Sequence, residues 1–158
     1  MKAATISDLK KELLHASPAR VTELCLRLAR FKKENKELLT YLLFEEHDIA
    51  GYIKSVKNEM DIQFENINKS NVYFVKKTLR KILRSTNKFI RYSGLATTET
   101  ELLIHFCISI KQFDNTLLKN PVINNIFQNQ LKKIHKSVET MHEDLQYEYH
   151  KEIRKINE

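Results

Sequence analysis

Two glycines and two prolines in 158 residues leave almost no material for the tight turns of β-hairpins, whose favoured two-residue connections need left-handed backbone. Along nearly the whole chain the apolar residues instead recur three and four positions apart, the spacing that lines up one face of an α-helix. The chain is therefore expected to be all-α. Its length suits one ordinary domain that buries roughly 70% of its unfolded surface. Residues 1–158 are read as a single all-α domain of six to seven helices stacked as antiparallel αα-hairpins. An α-α superhelix-like array is expected ahead of an irregular up-and-down bundle, because the helices are of unequal length.

Cap signals place the elements. A short first helix over residues 7–15 carries Ile6, Leu9, Leu13 and Leu14. Ser17-Pro18 pairs a capping hydroxyl with proline at the first helical position, where its missing N–H costs nothing. Asn35 is read as the cap of a third helix and Asp48 as that of a fourth. The polar break at 68–71 turns the chain back into a fifth, which Gly94 ends. Thr98 and Glu101 are spaced for a capping box at the start of a sixth helix. That helix is apolar nearly all round (Leu102, Leu103, Ile104, Phe106, Cys107, Ile108, Ile110) and so belongs at the centre of the fold. Asn120-Pro121 opens the last helix. Unbroken to Ile156, it would be about 54 Å long. Its far end, with Tyr147, Tyr149, Ile153 and Ile156, would then fray after Leu145 or pack on a second copy or another protein. Self-association through this C-terminal helix is one partner expectation.

Charge is distributed unevenly. Between Glu65 and Glu99 there is no acidic residue but eight basic ones, against a net charge of +7 for the whole chain. Within this window Lys77, Lys81, Arg84, Lys88 and Arg91 follow one another at spacings of four, three, four and three, forming one line along the basic helix 72–92. Such a line suits a phosphate backbone, an acidic protein surface or anionic lipid. The bland alternative is that the acidic segment 45–66 lies beside the basic helix and answers its charge, with exposed pairs contributing roughly 0–1 kcal/mol each.

Chemistry-bearing motifs are sparse. Gly51 and Gly94 stand alone, so no phosphate-cradling glycine loop can be built and no cofactor is expected. Cys25 and Cys107 are too far apart for a zinc knuckle. Both lie in apolar segments and read as buried reduced thiols of an intracellular protein. Glu12-x-x-His15 and Glu139-x-x-His142 have the spacing by which helical bundles present Glu and His to two metals, and His135 is near the second pair. No bridging glutamates point inward to complete such a site, and these pairs read as solvated helix flanks. His105, one turn after Glu101 in the most apolar helix, is a candidate switch or catalytic imidazole, or a core histidine held by hydrogen bonds. The tyrosines read as core-edge residues. There is no signal-peptide pattern and no apolar run long enough to cross a bilayer, so a cytoplasmic protein is expected.

The resulting expectation is a non-enzymatic helical binding or adaptor module of unknown partner. Sequence-nonspecific nucleic-acid binding through helix 72–92 is the alternative, and a metal-dependent helical-bundle enzyme the third.

Overall fold

The computed structural model describes residues 2–157. The fold is all-α: every regular element among the described residues is helical. The chain forms two compact units, Met1–Phe44 and Glu45–Glu158.

In the first unit, helix α1 (Ile6–His15) starts from a capping box in which the Thr5 side chain accepts from the Asp8 N–H and the Asp8 carboxylate accepts from the Thr5 N–H. Helix α2 (Pro18–Phe31) begins as its Ser-Pro signal predicts, with the Ser17 hydroxyl accepting from the Arg20 N–H. Helix α3 (Lys33–Thr40) starts two residues ahead of the expected cap at Asn35. The Asn35 amide instead donates to the Leu28 carbonyl at 2.9 Å. It therefore satisfies an orphan acceptor at the end of α2 and pins the α2–α3 hairpin. No residue of α1, α2 or α3 is buried, since two thin amphipathic layers have no third layer to enclose their apolar faces.

The second unit holds α4 (Ile49–Glu65), α5 (Val72–Ser93), α6 (Ala96–Asp114), a 3₁₀ turn (Asn115–Lys119), α7 (Pro121–Val138) and α8 (Glu143–Asn157). Asp48 caps α4 by accepting from the Gly51 N–H at 2.9 Å, and Gly51 has no Cβ to collide with that carboxylate. Gly94, at φ 64°, ends α5 in the left-handed conformation that a side chain would resist. Cross-helix hydrogen bonds fix the directions. The Tyr52 hydroxyl donates to the Phe89 carbonyl at 2.9 Å, so α4 and α5 are antiparallel. Lys57 meets Glu101 at 2.8 Å and His105 meets Asp61 at 2.7 Å, so α6 runs with α4. Ser137 donates to the Ala96 carbonyl at 3.1 Å, which sets α7 against α6. Lys111 donates to the Ile156 carbonyl at 2.6 Å, which returns α8 alongside α6.

Helices α4, α5, α7 and α8 all pack on α6. Its Leu102, Leu103, Phe106, Cys107 and Ile110 are fully enclosed, as the all-round apolar pattern requires. Within this unit α6 is the helix on which the others pack. The expected capping box of α6 does not form. Leu95 occupies the cap position without a side-chain bond, Thr98 is buried, and Glu101 is taken by Lys57.

The C-terminal expectation needs correction. The chain does not run as one rod from Pro121. It breaks after Val138, where the Thr140 hydroxyl donates to the Ser137 carbonyl at 2.7 Å and the Gln146 amide to the Met141 carbonyl at 2.8 Å. These side chains satisfy the helix end without glycine or proline, so the break carries no strong sequence signal. Helix α8 then folds back, and Ile153 and Ile156 are only 3% and 1% exposed. Ile153 and Ile156 thus find partners within their own unit, while Tyr147 stays 64% exposed.

Burial divides the two thiols: Cys25, expected to be buried, is exposed on α2, which has no buried residue, and Cys107 is buried. Cys107 is enclosed and its thiol is pushed up to about 12 by desolvation, so the nucleophilic thiolate is scarce near neutral pH. A maleimide probe at pH 8 is expected to leave Cys107 unmodified in the native protein and to label it in denaturant. Peptide mass spectrometry checks this, and rapid native labelling would contradict an enclosed α6.

Candidate functional site

Helix α5 has two opposed faces. Val75, Leu79, Ile82, Thr86 and Ile90 are buried. Their spacing puts them on one side, and Lys77, Lys81, Arg84, Lys88 and Arg91 on the other. From Lys77 to Arg91 the line covers about 21 Å of helix at 1.5 Å per residue. Lys77, Lys81, Arg84 and Arg91 are exposed. Lys88 is partly covered, its ammonium lying 4.8 Å from the centre of the Phe89 ring and 6.0 Å from that of Tyr92. These rings attract the cation through their π-faces and hold the side chain along the helix.

The acids of α4 do not pair with Lys77, Lys81, Arg84 or Arg91. Among the described residues, the cross-helix ion pairs of α4 run to α6: Lys57 to Glu101 and Asp61 to His105. Lys77, Lys81, Arg84 and Arg91 make no ion pair with residues 45–66. Helix α4 turns its charged flank toward α6 because its own buried stripe, Tyr52, Ile53, Val56, Met60 and Phe64, must face the core. Lys77, Lys81, Arg84 and Arg91 thus keep their charge for solvent or a partner.

Two features of this face were not apparent from sequence order. Tyr73, one turn ahead of Lys77 on the same side, is 61% exposed and packs edge-on against Phe74 at 5.6 Å. It departs from the core-edge role expected of the tyrosines. At the other end, Arg91 shares a surface depression of about 570 Å³ with Lys133 and Lys136 of α7, alongside Glu99. Lys133 and Lys136 lie more than forty positions along the chain from Arg91, and only the antiparallel packing of the bundle brings them together.

The histidine candidate has a different partner from the one its spacing suggested. His105 Nε2 lies 2.7 Å from Asp61 Oδ1 on α4, while Glu101 is engaged by Lys57. Asp61 also lines a depression of about 470 Å³ with Glu65, Lys69, Ser109 and Gln112. The Ser109 hydroxyl donates to the His105 carbonyl at 2.9 Å, so it is engaged along its own helix rather than aligned with the imidazole as a nucleophile would be. The pair ties α4 to α6. The other histidines assemble nothing: His142 sits 3.3 Å from Asp144 on an exposed turn, and the His135 and His150 rings are 6.3 Å apart. No group of three His, Cys, Asp or Glu among the described residues could hold a metal ion. No helix among them is long and apolar enough to cross a membrane.

Neither a protein-family model, nor a curated protein, nor a solved structure matches this chain, so the basic face of α5 rests on its own geometry as the candidate site.

Proposed function

We propose that this protein is a non-catalytic helical binding module that docks on the phosphate backbone of nucleic acid through α5. The observation that carries the reading is the exposed line of Lys77, Lys81, Arg84 and Arg91, opposite the buried stripe and unanswered by the acids of α4. A straight cationic helix face gives no base-edge readout of its own, so binding is expected to be indifferent to sequence. Arg91, Lys133 and Lys136 widen the positive surface at one end, and exposed Tyr73 offers a ring at the other.

The test is fluorescence anisotropy with a labelled random DNA duplex and an RNA strand at about 50 and 200 mM salt. Four phosphate contacts predict a loss of about 2.2 decades in affinity for duplex over that change, from a slope of roughly 0.9 per phosphate. Arg84→Glu combined with Lys81→Glu is expected to abolish binding while leaving the thermal melt within a few degrees, since both residues are exposed. No binding at the lower salt would defeat the reading. Binding that survives the double reversal would move the contact to another surface.

A further inference from the structure

The densest apolar surface lies on the first unit, where the α2–α3 hairpin exposes leucine and phenylalanine side chains on both of its sides. We propose that this unit pairs with the same unit of a second copy, hairpin on hairpin, to make a four-helix arrangement. The inference is independent of the basic face of α5.

The seat is a groove of about 330 Å³ whose walls include Cys25, Leu28, Ala29, Asn35, Leu38 and Leu42, with no charged residue. Along α2 Val21, Cys25 and Leu28 step by four-three, and Asn35 and Leu38 of α3 with Leu42 of the π-helical turn that follows it (Tyr41–Glu45) by three-four. That is the spacing by which paired helices interdigitate. Two antiparallel hairpins joined along such seams form a four-helix bundle.

Size and charge select the occupant. A unit of 44 residues is near the limit below which oligomerisation, metals or disulfides are usually needed to supply a core. None of its three helices contributes a buried residue. A homodimer interface of about 800 Å² per partner, about 65% apolar, needs roughly 500 Å² of apolar surface from each copy. Leu28, Leu38, Leu42 and the neighbouring Phe31 are 60%, 36%, 45% and 78% exposed, and with Cys25 they supply about that much at on the order of 100 Å² each. The opposite side of the hairpin is rimmed by Arg30, Lys33 and Lys36. Self-pairing there would set like charges face to face. The uncharged groove has no such penalty, and it offers nothing in particular to an acidic helix or an anionic lipid headgroup.

The test is sedimentation equilibrium of the full chain over about two decades of concentration. The expected result is twice the chain mass at the upper end. Leu28→Glu with Leu38→Glu should return the chain mass with helical content intact, because Leu28 is largely exposed in a single copy and Leu38, at the rim of the groove, has an open side toward which the carboxylate can turn. Leu26→Glu, on the other side of the hairpin, should leave the dimer whole. Alkylation of Cys25 gives a second readout: slow in the dimer and several-fold faster in the double variant. A chain mass at every concentration overturns the proposal, as does a dimer that survives the double variant. So does a monomer that pellets with vesicles rich in phosphatidylserine through Leu28 and Leu38, which would assign the groove to lipid.

Discussion

Phe106→Ala is expected to destabilise the Glu45–Glu158 unit by about 3–5 kcal/mol, the range for deleting a large aromatic side chain from a core. Phe106 is fully buried on α6, with its ring centre 5.8 Å from that of Phe64 on α4. Truncation removes both the transfer free energy of the ring and its aromatic partner. The cavity cannot close readily, because α4, α5, α7 and α8 are all seated on the same helix. Collapse at one contact would open another. Urea unfolding followed by circular dichroism measures the loss, with Tyr73→Ala on the exposed end of α5 as a control expected to change stability by no more than about 0.5 kcal/mol. A loss below about 1 kcal/mol for Phe106→Ala would mean that α6 is not the centre of the core.

Replacing Ile153 and Ile156 together by Asp is expected to detach α8. Each isoleucine is buried, and truncation of such a side chain to alanine alone costs about 2–5 kcal/mol. An unpaired carboxylate in the same place adds a desolvation penalty that no neighbour offsets. The chain can escape that cost by undocking the last helix, so the loss is limited to the docking free energy of α8. The Lys111 bond to the Ile156 carbonyl would be lost with it. Hydrogen exchange should show amides of Glu143–Asn157 losing protection while the central turns of α6 keep theirs. Unchanged protection in α8 would contradict its folded-back position.

Several features of the fold were legible from residue order because they are local. The Ser17-Pro18 and Asn120-Pro121 starts, the Asp48 cap and the Gly94 stop all rest on backbone groups within three or four positions of the signalling residue. The central place of α6 was legible too, since a helix apolar on most sides has no face to give to water. Asn35 misled because its amide serves the end of the preceding helix as readily as the start of the next. Thr98 and Glu101 misled because tertiary burial and Lys57 outbid the local cap. The turn after Val138 was missed because it uses ordinary side chains where glycine or proline would have marked it.

For the candidate site the division is similar. The line Lys77, Lys81, Arg84, Lys88 and Arg91 is a matter of helical periodicity, and the sequence alone determined it once the segment was read as a helix. Whether that charge is answered depends on which flank α4 turns toward its neighbours, and α4 spends Lys57 and Asp61 on α6. The addition of Lys133 and Lys136 to Arg91, like the exchange of Glu101 for Asp61 as the partner of His105, joins residues more than forty positions apart. Composition and periodicity decided the all-α class, the helix faces and the basic line, because each follows from interactions within a few residues. The packing directions, the return of α8 and the solvent exposure of the basic face were decided only by tertiary structure, because they depend on which apolar stripes find one another around α6.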